Sequence, residues 1–163
     1  MSRLLPLTFL CGLLLLTSCD KQMVYDQYVS YPNQWERDSI AGFEFVAPDT
    51  TQTYQLFINL RNTSDYPYNN LFLITRLTFP NGRVLGDTLE YRMAAPSGQW
   101  LGTGFGEVKE NKLWYKENFR FSEEGTYRME IQQAMRKGGS TRSLDTLKGV
   151  TEVGFRIENT MNQ

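Results

Sequence analysis

Cys19 is the residue whose chemistry the sequence specifies best. It closes the run Leu16-Thr17-Ser18-Cys19, behind a single basic residue, Arg3, and a stretch from Leu4 to Leu16 that is almost wholly apolar. A charged start, an apolar middle and small residues at the end are the three parts of an export signal. A leucine, two small residues and a cysteine form the lipobox pattern of bacterial lipoproteins. The reading is that the Cys19 thiol takes a diacylglycerol, the chain is cut before it, and the new amino group is acylated. The thirteen-residue run is too short for a transmembrane helix, which needs about 20 apolar residues. One acyl chain holds a protein only marginally, whereas two or more hold it stably. The expected organisation is a signal at 1–18, a lipidated cysteine with a short tether at 19–30, and one domain at 31–160.

Chemistry elsewhere is limited by what is absent. The sequence has no histidine, and its two cysteines are Cys11, inside the signal, and Cys19. A Ser-His-Asp triad, a Cys-His nucleophile and a His or Cys zinc site are therefore excluded from the body. Loss of Arg3 takes seventeen basic residues to sixteen, against eighteen acidic ones, for a net charge of −2. No basic block stands out, so nucleic acid is not an expected partner. The carboxylates Asp87, Glu90, Glu107, Glu110 and Glu117 could be paired for glycoside hydrolysis. Asp65, Asp87 and Glu123 are oxygen donors of the kind calcium takes. Neither set has the spacing of a built site. The body is expected to be non-enzymatic, with no cofactor and no metal.

Two patterns carry more weight. Asp38-Ser39, Asp49-Thr50, Asp87-Thr88 and Asp145-Thr146 place Asp before Ser or Thr four times, although the body has only seven aspartates. This resembles an acceptor motif of periplasmic O-glycosylation, with Ser39, Thr50, Thr88 and Thr146 as acceptors. Equally, Asp and Thr simply favour turns at strand ends. The second pattern is Trp100-Leu101-Gly102-Thr103-Gly104-Phe105-Gly106-Glu107. Its glycine spacing does not match a dinucleotide loop, because no apolar strand leads in and no helical pattern leads out. Trp100 is either a core anchor or a contact residue, since tryptophan serves both uses. Trp114 and Tyr115 join it as candidate stacking residues for a glycan or contacts for a protein.

The elements that must position these residues are strands. Period-two alternation marks half-buried strands. It runs through Phe43 and Phe45, then Tyr54, Leu56, Ile58 and Leu60, then Leu71, Leu73, Leu77 and Phe79. It continues at Leu89, Tyr91 and Met93, at Leu113 and Tyr115, at Phe119 and Phe121, at Tyr127, Met129 and Ile131, and at Val153, Phe155 and Ile157. Phe72 and Ile74 lie on the opposite face of their strand, which suggests cover on both sides. Pro80-Asn81-Gly82, Glu123-Glu124-Gly125 and Lys137-Gly138-Gly139-Ser140 are turn signals between the runs. Eight or so short strands separated by turns read as an all-β, antiparallel sandwich, jelly-roll-like. The only helical hint is a turn near Ser143–Leu147.

A series of short motifs runs along the chain: Leu60-Arg61-Asn62, Tyr66-Pro67-Tyr68-Asn69-Asn70-Leu71, Phe79-Pro80-Asn81-Gly82 and Asp87-Thr88. It continues through Trp100-Leu101-Gly102-Thr103-Gly104, Gln133-Ala134-Met135-Arg136, Gly149-Val150 and Val153-Gly154-Phe155-Arg156-Ile157. No single piece is specific; the ordered set, with the lipobox, spans nearly the whole chain and resembles the gliding-motility lipoprotein GldH family. The resemblance implies a component of the gliding apparatus and its associated secretion and assembly machinery. Such a component would be anchored in the outer membrane, face the periplasm and contact other machinery proteins. The resemblance also extends to non-gliding relatives, so motility itself does not follow, and it transfers no catalytic residue. The alternative is a glycan- or peptidoglycan-binding sandwich lipoprotein.

Overall fold

Side chains that alternate between apolar and polar can bury one face of a strand and solvate the other. The computed structural model, which describes residues 22–160, is built on that alternation. Its strands are β1 (Met23–Ser30), β2 (Gln34–Glu36), β3 (Ala41–Val46), β4 (Tyr54–Asn62) and β5 (Asn70–Thr78), followed by β6 (Val84–Arg92), β7 (Lys109–Phe119), β8 (Thr126–Gln133), β9 (Thr146–Lys148) and β10 (Val150–Asn159). There is no helix among the described residues.

Two four-stranded sheets form an antiparallel sandwich. Sheet A has the order β1-β10-β4-β7 and sheet C the order β3-β8-β5-β6. Each sheet thus interleaves strands from both halves of the chain. The inward faces meet in one aromatic core. Phe45 lies within ring contact of Phe121, Tyr127 and Phe155, with Phe45–Tyr127 stacked at 5.9 Å and Phe121–Tyr127 edge-on at 5.1 Å. Leu56, Ile58, Leu60, Leu71, Leu73, Leu77, Met129 and Ile131 fill the space between. A separate ribbon, β2 paired with β9, covers one end of the core with Trp35 and Leu147, both fully buried.

Three expectations are corrected. The tether does not run to residue 30: Met23–Ser30 is strand β1, hydrogen-bonded along β10 from Met23↔Glu158 to Ser30↔Glu152. Ser143–Leu147 is not helical. Ser143 bridges Arg136, and Thr146–Lys148 is extended against β2. The outward face of β5 is not covered along its length, since Ile74 is exposed while Phe72 is half-buried.

The register gives the sandwich two distinct ends. Met23, Gln55, Glu158 and Phe119 share one end of sheet A; Ser30, Glu152, Arg61 and Glu110 share the other. An eight-residue strand spans roughly 24 Å at about 3.4 Å per residue. The segment containing Cys19 precedes Met23 in the sequence and lies outside the described residues.

Candidate functional site

At the end remote from Met23, the glycine-rich segment is a projecting hairpin. Thr103 and Glu110 exchange backbone hydrogen bonds, with N–H···O distances of 2.8 and 2.7 Å. The Lys109 ammonium donates to the Gly104 carbonyl at 2.7 Å and pins the tip. Gly104 and Gly106 have φ of 128° and 79°, values that L side chains rarely adopt. A side chain at Gly102 would collide with Asn111, its Cβ falling 2.7 Å from the amide oxygen. Asn111 itself is buried, donating to the Leu60 carbonyl at 3.1 Å and to the Asn62 side-chain oxygen at 2.8 Å. Glycines therefore let the hairpin close over a buried amide pair.

What the hairpin displays is apolar. Phe105 is fully exposed, and Leu101 and Val108 are more than a third exposed. Sequence reasoning missed Phe105; its one signal was a large apolar residue between two glycines. Trp100, at the base, is half-buried and edge-on to Tyr66 at 6.0 Å, with Tyr66 buried and donating its hydroxyl to the Asn70 carbonyl at 2.8 Å. Trp100 thus supports the hairpin against the core rather than standing free.

Trp100, Trp114 and Tyr115 do not form one site. Adjacent residues on a strand face opposite ways. Tyr115 points inward, is 7% exposed, and donates to the Asp87 carboxylate at 3.1 Å. The proposed role of Tyr115 as a surface contact is corrected on that ground. Trp114 points outward and packs its ring 4.4 Å from that of Phe57.

Trp114 borders an outer layer on sheet A that is polar yet largely closed. Asn59 donates to the Tyr28 hydroxyl at 2.8 Å, and Tyr28 donates to Glu110 at 3.0 Å. Arg61 lies 4.5 Å from the Tyr28 ring centre and pairs with Glu110 at 3.3 Å and Glu152 at 2.5 Å. Nearer Met23, Glu158 accepts from Arg156 at 2.5 Å and from Lys112 at 2.7 Å, and Arg156 pairs with Asp26 at 2.9 Å. Burial, with Asp26 and Glu110 nearby, pushes the Tyr28 hydroxyl up to about 12. These charges pair with one another across the layer. Gly154 permits the layer, because a Cβ there would fall 2.7 Å from the Tyr28 ring.

The carboxylates considered for catalysis or calcium are dispersed. Asp87 pairs with Lys116 at 3.1 Å, Glu90 accepts from Asn70 at 3.0 Å, Asp65 accepts from Asn33 at 2.7 Å, and Glu123 accepts from Asn81 at 2.7 Å. No group of three or more metal-ligating side chains occurs among the described residues. Of the four candidate acceptor hydroxyls, Ser39 and Thr88 belong to exposed residues; Thr50 and Thr146 are intermediate. Thr146 donates to Glu36 at 2.6 Å.

Comparisons with known proteins give one consistent result. The family model described as GldH lipoprotein matches residues 23–157. The "Gliding motility lipoprotein GldH homolog" of Christiangramia forsetii is 54% identical over 154 residues, covering 94% of each chain. The "Gliding motility lipoprotein GldH" of Flavobacterium johnsoniae is 46% identical over 149 residues, covering 91% of this chain and 92% of that one. Among solved structures, the infectious bursal disease virus VP2 subviral particle aligns with 86% of this chain and 33% of that chain, at 14% identity and a TM-score of 0.43. That likeness is too low to support any conclusion. The family model and the two relatives agree: the chain belongs to the GldH lipoprotein family.

Proposed function

We propose that the chain is a non-enzymatic lipoprotein component of the bacterial gliding apparatus and its associated secretion and assembly machinery. Acylated Cys19 holds it in the outer membrane, with the domain in the periplasm. Its working contact is with another protein of that machinery, made by the hairpin that carries Phe105. The observation that carries this reading is the position of Phe105: fully exposed, on a tip built by positive-φ glycines, at the end of the sandwich opposite Met23. An apolar side chain in water signals an interaction site when neighbours extend it, and Leu101 and Val108 do so here. A lipid surface at the Met23 end leaves this tip facing away from the membrane, so a protein is the occupant that fits. Of the three candidate stacking residues only Trp114 is exposed; Trp100 is half-buried and Tyr115 is buried, so the three do not assemble a glycan platform.

Membrane fractionation together with photocrosslinking from position 105 tests the reading. Cys19→Ser should leave the envelope membrane fraction while keeping its fold. Phe105→Ser should stay in that fraction but lose its crosslinked partner and, where the host glides, its motility. Normal motility and an unchanged crosslinking pattern in Phe105→Ser would refute the tip as the contact. Co-sedimentation with peptidoglycan that survives Phe105→Ser and fails in Trp114→Ala would instead support the glycan-binding alternative.

A further inference from the structure

We infer that the outer face of sheet C carries a second binding site, independent of the hairpin tip, for an extended acidic peptide segment rich in aliphatic side chains. A groove of about 640 Å³ lies on this face, in the half of β5 that begins at Asn70. Its floor is apolar: Phe72 and Ile74 from β5, and Met135 just beyond β8. Its wall is the hairpin at 136–143, closed at its base by the Arg136–Ser143 bridge and by Leu144 N–H donating to the Met135 carbonyl at 2.8 Å. Met135 is locked beneath it, its sulfur accepting from the Phe72 N–H at 3.2 Å and its own N–H donating to Gln133 at 3.0 Å. Two hydrogen bonds thus fix Met135 in the floor.

The rim supplies the charge. Arg136 and Lys137 line the groove and are exposed, and neither has an ion pair or side-chain hydrogen bond among the described residues. Arg61, Lys112, Lys116 and Arg156, by contrast, all pair with carboxylates. Glu90 is the nearby acid on this face of β6, and it already accepts from Asn70. Two unmatched cations above an apolar floor fit a ligand with carboxylates on one side and aliphatic groups on the other. Exposed Ile74 beside the half-buried Phe72 gives the floor the mixed apolar surface that suits the side chains of a peptide.

The test pans a random dodecapeptide display library against the full chain in detergent micelles, with synthetic copies of the winners measured by fluorescence polarisation. Enriched peptides should combine Asp or Glu with Leu, Ile, Val or Met. Arg136→Glu/Lys137→Glu should weaken them by roughly tenfold or more, equivalent to about 1.4 kcal/mol, and Ile74→Glu should do the same. Lys-for-Glu versions of the peptides should recover binding to the charge-reversed protein. Phe105→Ser should leave all of these affinities unchanged, which separates this site from the tip. The altered residues are exposed, and a thermal melt of each variant establishes that its fold is intact. Failure to enrich any sequence, enrichment of basic or neutral peptides, or affinities indifferent to all three groove substitutions would overturn the proposal. Binding of acidic glycans that is lost in the same variants, with no peptide binding, would also overturn it.

Discussion

Tyr91 reaches from β6 across the seam between the sheets and donates its hydroxyl to the backbone carbonyl of Trp114 on β7, at 2.7 Å. β6 and β7 are both edge strands, and edge strands present unpaired backbone groups. The opposite seam uses the same device more weakly: Tyr25 on β1 donates to the Glu44 carbonyl on β3 at 3.4 Å, its ring 5.3 Å from that of Phe45. Asp87, Tyr115 and Lys116 add side-chain bonds beside Tyr91. Side chains thus close the sandwich where backbone pairing stops.

Removal of one seam bond should cost a typical hydrogen bond and no more. Tyr91→Phe keeps the ring and deletes the donor, so an unfolding free energy lower by about 1 kcal/mol is expected. Urea titration followed by tryptophan fluorescence measures this. Tyr25→Phe, whose bond is longer, should lose less. Equal and negligible effects would show that the seams are held by ring packing alone.

The tyrosines also set an alkaline limit. The hydroxyls of Tyr28 and Tyr91 are each pushed up to about 12, in both cases mainly by burial, with the Asp26 and Asp87 charges respectively adding to it. Burial raises Tyr66 and Tyr115 as well. A hydroxyl whose pKa is higher in the folded chain keeps its proton there while the unfolded chain releases it, at about pH 10. The stability is therefore complete below about pH 10 and is lost as the pH rises toward about 12. Ultraviolet titration of phenolate should show a group of tyrosines that ionises only as the fold is lost. In Tyr28→Phe, stability should fall less steeply with pH across this window. A full complement of tyrosines titrating near pH 10 in folded protein would contradict the buried assignment.

Trp100 separates support from contact. Its half-buried ring leans on Tyr66 and not on the deepest core. Trp100→Ala should cost about 1–3 kcal/mol, less than the roughly 3–5 of a fully buried aromatic. Denaturant unfolding of the variant gives the number. A loss at or above the buried value would make Trp100 a core residue, and no loss would detach it from the hairpin's support.

Much of the fold was legible because one buried face imposes a strict period of two. That is why β3, β4, β5, β8 and β10 stand out in the sequence. β2 and β9 did not, because three residues are too few to show a period. β1 did not because its outward side chains, Asp26 and Tyr28, belong to the closed polar layer, and Gln27 interrupts the apolar face. Tyr115 was misread although the signal was present: the alternation that groups it with Leu113 already separates it from Trp114. The groove was not legible at all, since Phe72, Ile74 and Met135 converge only through the pairing of β5 with β8.

Mass spectrometry of protein from its native envelope addresses the acceptor hydroxyls. If the four Asp-Ser/Thr pairs are glycosylated, Ser39 and Thr88 should carry added mass first, because both are exposed. Thr50 is only partly exposed, and the Thr146 hydroxyl is engaged with Glu36. A native mass matching the lipidated chain alone would leave turn and strand-end preference as the reason for the pattern.

Two glycines with nearly the same backbone conformation should respond differently to alanine. Gly106 has φ of 79° and sits at the hairpin tip, where an added Cβ meets nothing within 4 Å. Gly149 has φ of 80° and links β9 to β10, where an added Cβ would fall 2.2 Å from the backbone nitrogen of Tyr66. Its N–H donates to the Asn33 carbonyl and its carbonyl accepts from the Thr63 N–H, both at 2.8 Å, so it cannot shift without breaking a three-way junction. Gly106→Ala should bear only the conformational cost, about 1–2 kcal/mol. Gly149→Ala bears that cost plus a backbone collision that no side-chain rotation relieves, so a loss beyond about 4 kcal/mol, or failure to fold, is expected. Parallel thermal melts of the two variants decide the matter. Similar small losses would mean that the junction at Gly149 is looser than its close approach to Tyr66 implies, while a large loss at Gly106 would show that the tip packs onto the domain rather than projecting from it.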